Sequence, residues 1–128
     1  MKISKKSQYG LRAMVYLAKN FGKKKRLSLK EISEKENIPF DFLEKIMSQL
    51  EKVKLVSSKK GAGGGYFLAR KPERIKVGEI VKELEDIVPV KCEACSLVKK
   101  CLVKNVWRKA GRSFSSILDS TTLKDITF

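Results

Sequence analysis

Between Ser4 and about Asn20, the residues Tyr9, Ala13, Tyr16, Leu17 and Phe21 return at helical spacing. This predicts an amphipathic helix, and Gly22 follows as its stop because glycine accepts the left-handed conformation that ends many helices. Ser28-Leu29-Lys30-Glu31 has the Ser-x-x-Glu form in which hydroxyl and carboxylate each satisfy a free backbone N–H, so a second helix starts there and runs to about Glu36 with Ile32 inward. Asn37-Ile38-Pro39 breaks it. A third helix runs from Pro39 or Phe40 to Lys52, with Leu43, Ile46, Met47, Leu50 and Val53 along one side. Asp41, Glu44, Lys45, Ser48, Gln49 and Lys52 fall on its other sides. Leu55–Lys60 and Tyr66–Ala69 read as two strands around the turn Gly61-Ala62-Gly63-Gly64-Gly65. Val77–Glu85 reads as a fourth helix, Pro89–Cys101 holds the cysteines, and Val103, Trp107, Ala110, Phe114 and Ile117 mark a long helix before a short one near Thr122–Ile126.

Helix, short helix, turn, helix and two-stranded turn is the order of a winged helix-turn-helix. The expected fold is therefore mainly α with a small β-wing and a long C-terminal helix. Its expected divisions are a winged helix-turn-helix DNA-binding domain over 1–87, a cysteine loop over 88–101, and the long helix with a short closing helix over 102–128.

Composition sharpens this picture. With 29 Lys+Arg against 14 Asp+Glu, the formal charge is +15, which favours a polyanionic partner because cations that neutralise phosphates release counterions. The chain has no histidine, so imidazole triads, His-based zinc sites and Cys–His dyads are excluded, and no paired carboxylate or nucleophile–base set stands out; an enzyme is not expected. No apolar run reaches the length of a membrane span, and the charged start Met1–Lys6 is not followed by an apolar signal core. Three closely spaced cysteines do not make a secreted disulfide framework, and a cytoplasmic protein is expected.

Three segments carry chemistry. A helix that enters the major groove needs one apolar side held by its domain and polar residues near its N-terminus. Pro39, Phe40, Asp41, Phe42, Glu44, Lys45 and Ser48 are the candidates for reading DNA. Lys45 can reach a guanine edge or a phosphate, Glu44 can accept from a cytosine amino group, and Asp41 suits the positive end of the helix. The glycine run lacks the Lys-Ser/Thr ending of a nucleotide-binding loop and reads instead as a wing tip, with Lys59, Lys60, Gly61, Gly63 and Gly64 against DNA and Arg70 and Lys71 beyond. Lys23-Lys24-Lys25-Arg26 reads as a solvated basic loop. Cys92, Cys95 and Cys101 form a Cys-x2-Cys-x5-Cys cluster in a charged segment. Soft thiolates there suit an iron–sulfur cluster or zinc, and Lys91, Lys99 and Lys100 would equally favour a thiol redox switch; spacing alone leaves these open, together with no special role.

Taken together, Ser7–Met14, Ile38–Ile46, Leu55–Ser58, the wing Lys60–Leu68, Val77–Ile80 and Cys101–Trp107 resemble the IscR/NsrR/CymR (Rrf-two) family of winged-helix transcription regulators almost end to end. The resemblance implies a homodimer that binds a palindromic double-stranded DNA operator, with the helix carrying Val103, Trp107, Ala110, Phe114 and Ile117 crossing to the partner. It also implies that Cys92, Cys95 and Cys101 hold an iron–sulfur cluster, as in the cluster-binding branch, which modulates operator binding. The chain departs from that branch at the fourth ligand: where IscR-like members have a histidine it has Lys104, and where NsrR-like members use an acidic residue it has Gln8. Gln8 and Glu93 are the weak candidates for that position. The resemblance favours [2Fe–2S] over [4Fe–4S], with zinc as the alternative occupant.

Overall fold

The computed structural model describes residues 2–23, 26–87 and 95–127. Of the expected site residues, Cys92 and Glu93 lie outside the described residues, as do Lys24 and Lys25 of the basic loop. Helices α1 (Lys5–Lys19), α2 (Leu29–Glu36) and α3 (Phe40–Lys52) precede the hairpin β1 (Val56–Lys59) and β2 (Gly65–Leu68). Helices α4 (Val77–Leu84) and α5 (Lys104–Asp119) follow, with short 3-10 turns at Pro72–Arg74 and Lys124–Ile126. The fold is mainly helical with a small antiparallel wing, as the pattern predicts.

Helix α1 is capped by the Ser4 hydroxyl, which accepts from the Ser7 N–H at 3.2 Å. Its buried face keeps Ala13 and Leu17 of the predicted stripe and adds Ser7, Gly10, Met14 and Ala18, while Phe21 lies beyond the helix and is 45% exposed. Small residues are needed because α1 packs closely on α4: a Cβ at Gly10 would stand 2.2 Å from Leu84 Cδ1. The aromatic rings of Tyr9 and Tyr16 are left to the edges, packed against the core's margin.

Helix α2 opens on Ser28, whose hydroxyl accepts from the Glu31 N–H at 3.1 Å, and closes on Asn37 in the left-handed conformation at φ 53°. Helix α3 buries Leu43, Ile46, Met47 and Leu50; Val53, expected on the same side, falls past the helix end and is 43% exposed. Ile32, Ile38, Leu55, Ile75 and Ile80 complete one continuous apolar core. Burying such side chains, at roughly 1.5–3 kcal/mol each, is what holds helices this short.

Two polar ties fix α4. Burial would raise the Glu79 pKa, but the Lys76 N–H and the Arg70 guanidinium, each donating at 2.9 Å, hold it below the usual carboxylate range. At the other end Glu85 accepts from the Ser4 N–H at 2.7 Å and the Ser7 hydroxyl at 2.8 Å, and hydrogen bonds from Ser4 and Ser7 hold its carboxylate low. The root of the cysteine segment is thereby fastened to the start of α1.

After α5 the chain returns to the domain. The Val77 N–H donates to Thr121 O and the Leu123 N–H to Ile75 O, both at 2.8 Å, and the Leu123 side chain is wholly buried. Lys82 and Asp119 pair at 2.8 Å across α4 and α5. Among the described residues this is the end of α5 that is anchored so, and none of the helix's own residues is buried.

Candidate nucleic-acid interface and cysteine segment

The polar side of α3 is displayed because its apolar side is fully used. Pro39, Phe40, Asp41, Glu44, Lys45 and Ser48 are all exposed along it. Phe42 differs from these, being half-buried with its ring edge-on to Tyr9 at 5.5 Å between centroids and 88° between planes. Arg12 lies over the other part of this stack, 5.9 Å from the Tyr9 centroid, and binds Glu36 through its guanidinium. Phe42, Tyr9 and Arg12 thus brace the N-terminal half of α3 from behind. The aromatic stripe read from α1 included Tyr9 but gave no sign of this use.

The wing is built against the same helix. The Ser58 hydroxyl on β1 donates to Glu51 near the end of α3 at 2.6 Å, so helix and hairpin are tied together. Tyr66, on β2, has its phenol pKa pushed up by burial and then by the nearby Glu51 and Glu44 carboxylates. At the tip, Gly61 and Gly63 take positive φ values of 93° and 73°, and the Gly64 N–H closes the turn on Gly61 O at 2.9 Å. Lys59 and Lys60 stand exposed at its foot.

A third chain segment joins the hairpin. Leu27, just before α2, pairs with Tyr66 through both backbone bonds, at 2.9 and 2.7 Å. Gly65 makes this possible: its φ is 144°, and a Cβ there would stand 2.5 Å from Leu27 O. Neither the bridge nor its need for Gly65 is visible in the local pattern, which shows only a hairpin. Helix α3, the wing and the segment before α2 therefore form one hydrogen-bonded unit with cations at its edge.

The cysteine segment is partly in view. Cys95 is exposed and Cys101 half-buried, and both are free thiols. Between them the Val98 N–H donates to Cys95 O at 3.2 Å and the Lys100 N–H to Leu97 O at 2.9 Å. The Lys104 ammonium donates to Val98 O at 2.7 Å, which employs it in closing the segment. Among the described residues no group of three cysteine or carboxylate side chains is placed to hold a metal ion. The donors in view nonetheless fit an iron–sulfur cluster in kind, being free, accessible thiols on a short turn beside Lys99 and Lys100. Gln8 is exposed on α1 with its amide donating to Ile3 O at 2.8 Å. Val103, just before α5, is 53% exposed; Val106, Trp107 and Ile117 are 58%, 43% and 66% exposed along the helix, with Ala110 also exposed and Phe114 half-buried. No helix among the described residues is long and apolar enough to cross a membrane.

The family profile described as Rrf2, iron-dependent transcriptional regulator, matches residues 3–128. The protein rrf2 of Nitratidesulfovibrio vulgaris (Hildenborough) is 34% identical over 131 residues, covering 98% of this chain and 87% of that protein. The solved structure of T. potens IscR superposes with a TM-score of 0.82 at 40% identity, covering 98% of this chain and 85% of that one. That of CymR, described as the global cysteine regulator of B. subtilis, does so with a TM-score of 0.81 at 38% identity, covering 98% and 95%.

Proposed function

We propose that this chain, which belongs to the Rrf2 family of transcriptional regulators, is a cytoplasmic homodimer whose binding to a palindromic DNA operator responds to an iron–sulfur cluster. It is a regulator of the IscR/CymR type, and such regulators are not enzymes. The observation that carries the proposal is the single unit formed by α3 and the wing, with a segment of free thiols leading directly into an uncovered helix. Residues 1–87 supply DNA binding, 88–101 the sensing loop, and 102–128 the dimer contact.

In this assignment α3 enters the major groove. Pro39, Phe40, Asp41, Glu44, Lys45 and Ser48 meet the groove, while Phe42 holds the helix from behind. Lys59, Lys60 and the tip glycines Gly61, Gly63 and Gly64 approach the backbone, where small residues allow close contact. Two-fold symmetry matches the two half-sites of the operator to the two copies of this unit.

Cys92, Cys95 and Cys101 would hold the cluster, assigned as [2Fe–2S], which supplies a redox-active centre whose gain or loss changes how tightly the segment is tied. Lys104, engaged on Val98 O, closes the segment rather than acting as a ligand, since a protonated amine cannot bind iron. Gln8 and Glu93 are the residual candidates for the fourth position. Because the segment runs straight into α5, a change in its order reaches the dimer contact and so the spacing of the two reading helices. A metal-free thiol switch or a zinc site at the same cysteines is the second reading, favoured by the exposed free thiol of Cys95. Zinc in place of iron, or operator binding that follows a thiol oxidant in metal-free protein, would select it.

Base reading by α3 is tested at Lys45. On a duplex selected by the protein from a random pool, Lys45→Ala is expected to weaken binding by about 1–3 kcal/mol, with a smaller loss on a scrambled duplex. Equal losses on both would make Lys45 a phosphate contact, and no loss on either would remove it from the interface.

A further inference from the structure

The basic loop between α1 and α2 reads in the sequence as solvated charge, yet the fold sets its last residue on the wing. The two backbone bonds between Leu27 and Tyr66 fix the register of this segment along β2. Arg26 is thereby delivered to the tip, where its Nη1 donates to Gly63 O at 3.2 Å. One part of a planar fork of five N–H donors is used by that carbonyl. The partner is neutral, so the charge of Arg26 is not cancelled there. Arg12 and Arg70, by contrast, are paired with the carboxylates of Glu36 and Glu79.

We propose that Arg26 is a third component of the DNA interface: it braces the wing tip through Gly63 and presents the rest of its guanidinium to a backbone phosphate beside the wing. A guanidinium is suited to this double role because its donors lie in one rigid plane, whereas lysine offers a point charge on a flexible stem. Exposed Lys23, in the same connection, adds to the local positive field. The inference rests on the wing being a DNA-binding element.

The test is a set of binding isotherms over a range of NaCl concentrations, using the dimeric protein with the pool-selected duplex and a scrambled duplex of equal length. Arg26→Ala is expected to weaken both by about tenfold and to lower the slope of log K against log salt by about 1 for each Arg26–phosphate contact in the complex. Arg26→Lys is expected to keep the slope but not the full affinity, because the charge survives while the hold on Gly63 does not. Unchanged affinity and slope in Arg26→Ala would overturn the proposal, and full recovery of affinity in Arg26→Lys would overturn the bracing role. If the unaltered protein bound neither duplex, the DNA-binding assignment would fail instead.

Discussion

Replacing Trp107 and Ile117 together by glutamate is expected to turn the proposed dimer into a folded monomer and to abolish tight operator binding. Both side chains belong to an α5 face that the domain does not cover, at 43% and 66% exposure. Val103, Ala110 and Ile117 are seven apart, as are Trp107 and Phe114, the spacing that keeps one side of a helix against a partner helix. Fully burying a large apolar side chain is worth roughly 1.5–3 kcal/mol, about half of which remains to be gained at these exposures, and two-fold symmetry counts each residue twice, so on the order of 5 kcal/mol of association rests on them. Glutamates would lose that burial and set carboxylates of both copies against one another. Sedimentation equilibrium should show the monomer at micromolar concentration, with the far-ultraviolet spectrum unchanged because neither residue contributes to the core. A variant that stays dimeric would place the interface elsewhere.

The second large effect is on stability. Leu123→Ala is expected to lower the unfolding free energy by about 2–4 kcal/mol, measured by urea denaturation, because Leu123 is fully buried and its removal leaves a cavity. The bond from its N–H to Ile75 O at 2.8 Å holds the backbone in place, so the site has little freedom to collapse around the loss. A change below about 0.5 kcal/mol, the range of ordinary surface substitutions, would show that the segment after α5 does not pack into the core.

Leu123 also marks the boundary of what the pattern of residues reveals. Helix α3 is legible because its stripe is long and dense, and the hairpin because a glycine run separates two short apolar segments. Leu123 stands alone among Thr122, Lys124 and Asp125, and its burial depends on a partner 48 positions earlier, Ile75. In α1, spacing correctly predicts the helix and its inward Ala13 and Leu17 but favours the large aromatics, whereas close packing on α4 selects Gly10. Local periodicity measures hydrophobicity and cannot measure the distance to the neighbouring helix.

The candidate interface divides in the same way. The exposed positions of α3 and the glycine turn follow from local sequence. The inward Phe42 on Tyr9, the Ser58–Glu51 tie and the attachment of Arg26 and Leu27 to the wing are contacts between distant segments. They have no signature in spacing. The charge of +15 favours a polyanionic partner, and the fold gives part of it, at Lys59, Lys60 and Arg26, a common location. The absence of histidine bears most on the cysteines, since it denies them an imidazole ligand and leaves Lys104 to close their segment.

The most direct test is the operator affinity of a single anaerobic preparation, measured before and after the cluster is removed by chelation under reducing conditions. The initial protein is expected to be coloured, with about two iron and two sulfide per chain for a [2Fe–2S] centre. Its affinity for the selected duplex should then change by at least about fivefold, the lower range for coupling between two sites, while its affinity for scrambled DNA changes less. A colourless, iron-free protein after anaerobic reconstitution, or the same operator affinity with and without the cluster, would contradict cluster-dependent regulation.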